Sequence, residues 1–562
     1  MGVLLNSRSE FFNEYVRRVQ PYLDHFGFPY IEIDIGAPPD PGTVVGHGVY
    51  LVGHASLLAG IGDAGFMHLI AGEVVKGAGL ICFDPTLMTW SGVFADVIVP
   101  ARRLSVASRH FLIVDNSHYI TALHEPRERI DLLEPVEIRA GAHLRHGSVL
   151  VSTGDASILE VGAVGGGKVV LWNDASWMSH AVRGPIAGMD DLVWRGIVWV
   201  SRKPCVLQGM PPFVTMRVDD VWGSGGSGLG GDPFHWVGAC NRCGLKPWLG
   251  LFLDNMSDQA IDNLRRYTRS GGATAFPHAF NGNECQVDPT KPERWIYYDH
   301  HKRTDFPDPV MRANVNRVRR WHRKHGIEIS AMAIGHYYEI GRNALPHLLE
   351  MGCEFIGTPI APGAPYTDDE PWLRGGPFRS SGTGPARTSM PMYYAHPLEV
   401  ETMPAISRRL FNCLVEIRDV CGYEWAPDND VERTIHNGVL QLRRSLGSLI
   451  PATLFTHESD YLQHIAPANW ERILRGVVEG IASSQPQLVT LEHACRYVRA
   501  RAGVRIPDAV MLTDGTVSID VEGRNDMPTT CTVIRESPSG VISWRSADIP
   551  RVDGRERVER SC

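Results

Sequence analysis

The sequence predicts an α/β protein in three consecutive parts: a Rossmann-like α/β domain, a (β/α) barrel that is complete or partly open, and a small β module. Short runs of β-branched and aromatic residues alternate with helical stretches over most of the chain, as in folds with crossover helices. From about residue 505 the helical stretches stop and a period-two alternation remains. At 562 residues the chain is too long for one hydrophobic core, which agrees with several domains.

The Rossmann-like domain is predicted over residues 1–205. Its predicted strands end in Gly, Asp or Asn, which is typical of a mainly parallel sheet. The strands are at 48–53, 79–83, 111–114, 148–151 and 168–172, and a short helix is at 68–76. The run Gly165-Gly166-Gly167-Lys168 before a strand resembles the amidotransferase-like domains appended to some carbohydrate enzymes. The domain has no recognisable nucleophile elbow, so the resemblance implies an accessory, non-catalytic role.

The (β/α) barrel is predicted over residues 206–503, where strands and helices alternate. The predicted strands are at 213–218, 247–252, 273–276, 328–334, 355–356 and 452–455. The predicted helices are at 257–270, 309–325, 343–351, 429–446 and 469–483. Because the chemistry of such barrels gathers at the carboxyl ends of the strands, the residues that follow these strands are the candidates for a site.

The last part, residues 504–562, is predicted to be a small β module or strand pair. Residues 516–521 and 531–534 alternate between apolar and polar side chains without helical periodicity. The tail over 551–562 is rich in charged residues, which is typical of a loosely held terminus.

Composition excludes several classes of partner. The chain is 43% hydrophobic and 21% charged, with a net charge of −8, which gives no reason to expect binding to nucleic acid or to an anionic membrane. No apolar run reaches the length of a membrane span, and the N-terminus does not have the pattern of a signal peptide. Eleven cysteines without a framework spacing suit a reducing compartment. We therefore expect a cytoplasmic protein, and the sequence leaves a homo-oligomer open.

The most informative segment is the strand-like run that ends in Asp219 and Asp220. A glycine-rich loop follows directly at 223–231. Two neighbouring carboxylates repel each other unless a cation or a proton is shared between them. The pleat relaxes where a strand ends, so both side chains can turn to one side. One carboxylate can then bind a metal ion while the other takes a proton from water.

Histidines follow four further predicted strands or strand-like runs of the barrel. They are His278, the pair His300 and His301, His336 and His457. With the Asp pair they supply two imidazoles and a carboxylate for a metal site with open positions. They also leave one base and one acid for proton transfer.

The order of these motifs resembles that of the polysaccharide deacetylase (NodB-homology) carbohydrate esterases. Asp219-Asp220 after an apolar strand, a later histidine and Leu454-Phe455-Thr456-His457 occur in the family's order. The chain is most similar to divergent relatives such as the deacetylases of galactosamine-containing exopolysaccharide. The resemblance covers about residues 206–500 and implies a deacetylase-type barrel that binds a divalent metal ion, zinc in the first place.

The resemblance implies a role for each matching residue. Asp219 would be the catalytic base, His457 the catalytic acid, and Asp220 and His278 metal ligands. The family usually has its two metal histidines four residues apart, whereas position 282 of this chain is Gly. His300 and His301 are therefore the candidates for the second imidazole.

Further side chains are candidates for substrate binding. They are Trp222, His336, Tyr337 and Tyr338. The segment that contains His336 stands in the place of the substrate-positioning strand of the family. Arg217 and Arg418 are both candidates to hold Asp219 ionised. Cys240 and Cys243 have zinc-knuckle spacing without a second pair at a finger-like distance, so we do not predict a structural zinc site there.

The predicted function is that of a metal-dependent hydrolase, a deacetylase that removes an N-acyl group, acetyl in the first place, from an amino sugar or a related amide. A small glycoside, a lipid-linked intermediate or a natural-product amide fits a cytoplasmic location as well as a polymer does. Two alternatives stay open: a carbohydrate-binding protein on a degenerate barrel, and a glycoside hydrolase. The second is the poorer one, because adjacent Asp residues seldom reach the carboxyl separation of about 5 Å or more that a glycosidic bond requires.

Overall fold

The computed structural model describes most of the chain. The described residues are 1–37, 40–61, 65–84, 94, 97–100, 106–138, 142–178, 182, 189–223, 232–282, 295–299, 302, 304–336, 339–357, 396–398, 403–413, 430–458, 462 and 465–561. They fall into two compact units. The first contains Met1–Met210 and Ala500–Cys562, and the second lies within 211–499. Among the described helices, none is both long enough and apolar enough to cross a membrane.

The first unit begins with an α/β arrangement. Its strands up to residue 208 are β1 (Gly2–Leu5), β2 (Ile31–Asp34), β3 (Val49–Val52), β4 (Gly79–Cys82), β5 (Ile98–Pro100), β6 (Val106–Ile113), β7 (Arg129–Ile138), β8 (Ala142–Leu144), β9 (Ser148–Thr153), β10 (Ala156–Val164), β11 (Gly167–Trp172) and β12 (Cys205–Gln208). Its helices are α1 (Phe12–Glu14), α2 (Gln20–Phe26), α3 (Pro41–Val44), α4 (Gly65–Val75) and α5 (Asp190–Val200), with a π-helical turn at Tyr15–Val19 and a 3-10 turn at Ser176–Met178.

Nine strands form one sheet in the order β2-β1-β3-β4-β11-β10-β9-β6-β7. The strands from β2 to β11 pair in parallel, whereas those from β11 to β7 pair antiparallel. The prediction of a mainly parallel sheet is therefore correct for only half of it. The glycine run at 165–167 accounts for one of the antiparallel pairs, because Gly165 has φ +58° and turns the chain between β10 and β11. Antiparallel strands need only such a short turn, and no crossover helix.

The chain returns to the first unit after residue 500. Five strands follow: β22 (Val504–Met511), β23 (Thr516–Arg524), β24 (Thr529–Glu536), β25 (Ile542–Ile549) and β26 (Asp553–Ser561). They form two antiparallel sheets, β12-β24-β25 and β22-β23-β26, around a shared apolar core. The segment from 504 is thus a five-stranded structure that pairs with β12 of the N-terminal part.

The second unit alternates strands and helices. Between residues 211 and 502 the strands are β13 (Phe213–Val221), β14 (Pro247–Phe252), β15 (Thr274–Ala279), β16 (Met332–Ala333), β17 (Phe355–Ile356), β18 (His396–Pro397), β19 (Phe411–Asn412), β20 (Ala452–His457) and β21 (Gln487–Leu488). The helices are α6 (His235–Arg242), α7 (Asp258–Arg269), α8 (Asp308–His325), α9 (Leu345–Glu350), α10 (Val431–Gly447), α11 (Pro467–Gly480) and α12 (Leu491–Ala502), with 3-10 turns at Leu253–Asn255, Arg342–Ala344 and Ala482–Ser484.

Most of the strands of the second unit pair in parallel. One sheet has the order β15-β14-β13-β20, with β21 beside β13, and all of its pairs are parallel. A second sheet has the order β16-β17-β19-β18, in which only the β18–β19 pair is antiparallel. The amide of Ser330 donates to the carbonyl of Ala275 (2.8 Å), which links the segment before β16 to β15. This arrangement confirms a mixed α/β protein with parallel sheets, and the described ranges do not show a closed barrel.

Local sequence explains where α7 begins and where α8 ends. The side chain of Ser257 accepts a hydrogen bond from the amide of Ala260, which caps the N-terminus of α7. Gly326 has φ +62° and ends α8 in the left-handed conformation that glycine adopts without steric cost. The predicted strand at 328–334 is much shorter in the structure, since only Met332–Ala333 pairs as β16.

Candidate metal centre

The predicted site residues of the sheet meet at one edge. Strand β13 lies between β14 and β20, and parallel strands bring their carboxyl ends to the same edge. Asp219 of β13 is paired in register with His457, the last residue of β20. His278 is next to the last residue of β15, two strands away from β13. The structure therefore brings Asp219, Asp220, His278 and His457 together at this edge.

The backbone at Asp220 is in an unusual conformation. Asp220 has φ +56°, in the left-handed region that non-glycine residues rarely adopt. The pairing of β13 with β14 shifts register between Val218 and Val221, so the pleat is interrupted at the Asp pair. As a result both carboxylates face the same imidazole. Nε2 of His278 lies 3.6 Å from Oδ2 of Asp219 and 3.5 Å from Oδ1 of Asp220.

Three side chains of this edge could hold a metal ion. The ligand atoms of Asp220, His278 and His336 all lie within 4.8 Å of one another. Nε2 of His336 is 3.6 Å from Oδ1 of Asp220. One carboxylate and two imidazoles are the donor types that zinc and similar divalent ions accept in catalytic sites, where further positions stay open. The donor set therefore fits the predicted divalent ion.

His278 is oriented like a metal-binding imidazole. Its Nδ1 donates a hydrogen bond to the carbonyl of Ile334 (2.9 Å), which leaves the lone pair of Nε2 directed to the carboxylates. Burial lowers the pKa of His278, so the neutral form that a metal requires is favoured. Gly250 of β14 makes room for the ring, because a Cβ there would lie 3.1 Å from its Cγ and Nδ1.

Aromatic rings hold the second imidazole. The ring of His336 stacks on Trp295, with centroids 5.0 Å apart and planes 23° apart. Phe252 meets the same imidazole edge to face at 5.1 Å. A Cβ at Gly282 would lie 2.2 Å from the ring of Phe252. A second metal histidine at position 282, four residues after His278 as in the family, would have no room, because Phe252 occupies the space next to this position.

The placement of His336 differs from the sequence interpretation, which assigned this residue to substrate binding. Its side chain lies with Asp220 and His278 instead of standing apart from them. The sequence contains a signal for this, since His336 follows the short strand β16 just as His278 ends β15. His300 and His301, the predicted source of the second imidazole, lie outside the described residues, as do Tyr337 and Tyr338.

Arg217 holds the other carboxylate of the pair. Its Nε donates to Oδ1 of Asp219 (2.8 Å), and its Nη2 donates to Oδ2, so the ion pair is bidentate. Both side chains are buried. Burial alone would raise the pKa of Asp219, but the guanidinium reverses this and the pKa lies below its ordinary value. Of the two arginines considered from the sequence, Arg217 has this contact, and Arg418 lies outside the described residues.

His457 is neutral in this environment. Burial lowers its pKa to about 4, although the neighbouring Asp219 acts in the opposite direction. Glu458 and Asp460 lie close to His457 in the sequence, which makes them candidates to orient its ring. The carboxylate of Glu458 accepts hydrogen bonds from Trp222, Gly223 and Trp236. Asp460 lies outside the described residues.

Trp222 borders the centre. It follows the Asp pair by two residues, and its ring stacks on Phe252 with centroids 5.9 Å apart and planes 16° apart. Phe252 in turn contacts both His278 and His336. The predicted glycine loop beyond Gly223 lies outside the described residues. Cys240, the first cysteine of the knuckle-like pair, is buried with its Sγ 3.4 Å from Sδ of Met216.

Comparisons with known proteins give only distant likenesses. No family model and no curated protein matches the chain. A candidate polysaccharide deacetylase from Mycobacterium smegmatis is similar in structure at 13% identity and a TM-score of 0.32, over 52% of this chain and 92% of that one. A cytoplasmic protein from Salmonella typhimurium is similar at 12% identity and a TM-score of 0.24, over 33% of this chain and 88% of that one. A cytoplasmic protein from Salmonella typhimurium LT2 is similar at 14% identity and a TM-score of 0.22, over 36% of this chain and 97% of that one.

The geometry predicts which histidine matters for metal binding. We expect His336→Ala to weaken zinc binding by at least about 100-fold, because it removes one of three converging donors. His300→Ala and His301→Ala are the matched comparisons, with zinc affinity measured by competition with a chromophoric chelator. Unchanged affinity in His336→Ala, together with a large loss in either of the other two variants, would restore the interpretation made from the sequence.

Proposed function

We propose that this protein is a metal-dependent amide hydrolase that removes an N-acyl group, acetyl in the first place, from an amino sugar or a related amide. One observation carries the proposal. The three converging donors Asp220, His278 and His336 lie beside a second buried carboxylate, Asp219, and that carboxylate is paired across the sheet with a neutral histidine, His457. Metal-assisted hydrolysis of an unactivated amide uses these parts: a metal site, a base for water and an acid for the amine.

The donor set indicates what the metal ion would contribute. Asp220, His278 and His336 would hold a divalent ion, zinc in the first place, and leave further coordination positions open. Such an ion lowers the pKa of water and polarises an acyl carbonyl. The other steps belong to the side chains around it. The ring of Trp222 is half-buried and stacks on the buried Phe252, so it offers an apolar surface next to the centre, which suits the face of a sugar ring.

Asp219 is the proposed base. The bidentate pair with Arg217 keeps its carboxylate ionised although the side chain is only 5% exposed. An ionised carboxylate in a dry site can accept a proton when water attacks the substrate. Because Arg217 fixes both oxygens, the carboxylate stays in place during the reaction, and little reorganisation is needed.

His457 is the proposed donor to the departing amine. An amine leaves an amide only when its nitrogen is protonated, so the proton taken from water has to be delivered there. His457 is paired in register with Asp219 and is neutral before turnover, since burial lowers its pKa to about 4. A neutral imidazole can receive the proton from Asp219 and pass it to the nitrogen. His457 would thus become an acid only within the catalytic cycle.

The direct test is metal content together with acyl release. We expect the purified protein to contain one zinc or a similar divalent ion per chain and to release acetate from some member of a panel of N-acetylated amino sugars and small amides. Removal of the ion with a chelator should abolish release, and addition of zinc should restore it. A protein that binds no divalent ion would contradict the proposal.

The two adjacent carboxylates should behave differently on substitution. We expect Asp220→Ala to lose zinc and activity together, because the residue supplies a ligand. Asp219→Asn should keep zinc and lose about 100-fold or more in kcat, because the amide cannot accept the proton. Zinc content and steady-state kinetics of both variants give the comparison. Zinc retained in Asp220→Ala and lost in Asp219→Asn would reverse the two roles.

Leaving-group chemistry tests His457. An activated aryl acetate has a leaving group that departs without protonation, whereas an amide does not. We therefore expect His457→Ala to reduce kcat on the N-acetyl substrate at least about 100-fold more than on the aryl acetate, with unchanged zinc content. Equal losses on the two substrates would mean that His457 binds the substrate or the metal and does not donate a proton.

A further inference from the structure

The carboxylate of Glu458, the residue that follows His457, accepts hydrogen bonds at both of its oxygens. Glu458 is fully buried. Its Oε2 accepts hydrogen bonds from the amides of Trp222 (2.6 Å) and Gly223 (2.8 Å), and its Oε1 accepts one from Nε1 of Trp236 (3.0 Å). A buried carboxylate is costly unless such donors compensate for the lost water. The fold therefore surrounds this buried carboxylate with donors although Glu458 is not among the converging metal donors.

Two of these donors follow the strained residue of the metal centre. Trp222 and Gly223 lie two and three residues after Asp220, whose backbone has φ +56°. A non-glycine residue keeps such a conformation only when its surroundings impose it. Strand pairing with β14 resumes at Val221, and the next residue, Trp222, is the first whose amide donates to Glu458. The chain is thus fixed directly beyond the left-handed turn.

Aromatic packing links the segment held by Glu458 to the imidazoles. Trp222, whose amide is bonded to Glu458, stacks on Phe252. Phe252 contacts the ring of His336 at 5.1 Å and the ring of His278 at 6.0 Å. A shift of the backbone at Trp222 would therefore move its ring against Phe252, and Phe252 contacts both histidines.

We propose that Glu458 is the positioning residue of the metal centre. It holds the segment after Asp220 so that the left-handed turn directs this carboxylate to His278 and His336, and it thereby sets the affinity for the metal ion. This inference rests on the metal site of the proposed function. Glu458 itself is not one of the three converging donors. The aromatic layer of Trp222 and Phe252 transmits the same constraint to the imidazoles.

The conservative substitution Glu458→Gln tests the proposal. Glutamine replaces one acceptor oxygen by an amino group, and either orientation then places a donor against Trp236 or against the two amides. We expect the zinc Kd to rise by about 10-fold or more, which is typical when a group that orients metal ligands is lost. The visible spectrum of the cobalt-loaded protein should also change, because it reports the ligand geometry. Glu458→Asp, which withdraws the carboxylate by one methylene, should act in the same direction.

A second substitution should partly rescue the first. In Glu458→Gln/Trp236→Phe the indole donor is absent, so the glutamine oxygen can accept from Trp222 and Gly223 while its amino group faces the phenyl ring. We expect the double variant to bind zinc more tightly than Glu458→Gln alone. A merely structural role predicts the opposite, because two core substitutions would weaken the fold further.

The matched control is Glu160→Gln in the other unit. Glu160 is also buried and also accepts a backbone amide, that of Leu144 (2.8 Å), but it lies in the strand β10 of the first unit. We expect this variant to bind zinc and cobalt like the wild type, whatever its thermal stability. If wild-type protein binds zinc and Glu458→Gln binds it with the same Kd and the same cobalt spectrum, the positioning role is wrong. If wild-type protein binds neither ion, the proposed function fails and the inference with it.

Discussion

The candidate centre depends on one backbone constraint, the left-handed conformation of Asp220 within strand β13. A regular strand would direct Asp219 and Asp220 to opposite faces of the sheet. The register shift between Val218 and Val221 interrupts the pleat, and both carboxylates then face the imidazole of His278. The metal donors and the base are adjacent in space because this one residue is strained.

Burial and the neighbouring charges give the carboxylates of Asp219 and Asp220 different roles. Asp219 is held by both nitrogens of the Arg217 fork, whereas Asp220 lies next to the imidazoles of His278 and His336. A cation thus compensates the first carboxylate, and the second lies among the donors that could hold a metal ion. Removal of water strengthens both interactions. It also lowers the pKa of His457 to about 4, so this histidine is free of a proton before a reaction begins.

The sequence predicts strands β13, β14, β15 and β20 well because each begins as a short run of mainly apolar residues. The location of Asp219, His278 and His457 at one edge follows from parallel pairing alone. The second imidazole, that of His336, also follows a strand, but the family spacing places this ligand at position 282, where Phe252 fills the space. The antiparallel half of the first sheet is not predicted, because short strand runs of this kind do not by themselves distinguish parallel from antiparallel pairing.

The central claim is that Asp220, His278 and His336 bind one metal ion together. A crystal structure of the zinc-loaded protein, with anomalous differences recorded on both sides of the zinc edge, tests it most directly. The account predicts one strong peak at about 2.0–2.2 Å from a carboxylate oxygen of Asp220 and from Nε2 of His278, with His336 as the third ligand. A stoichiometric zinc peak elsewhere, for instance at Cys240 and Cys243, with none between these three side chains, would contradict the account.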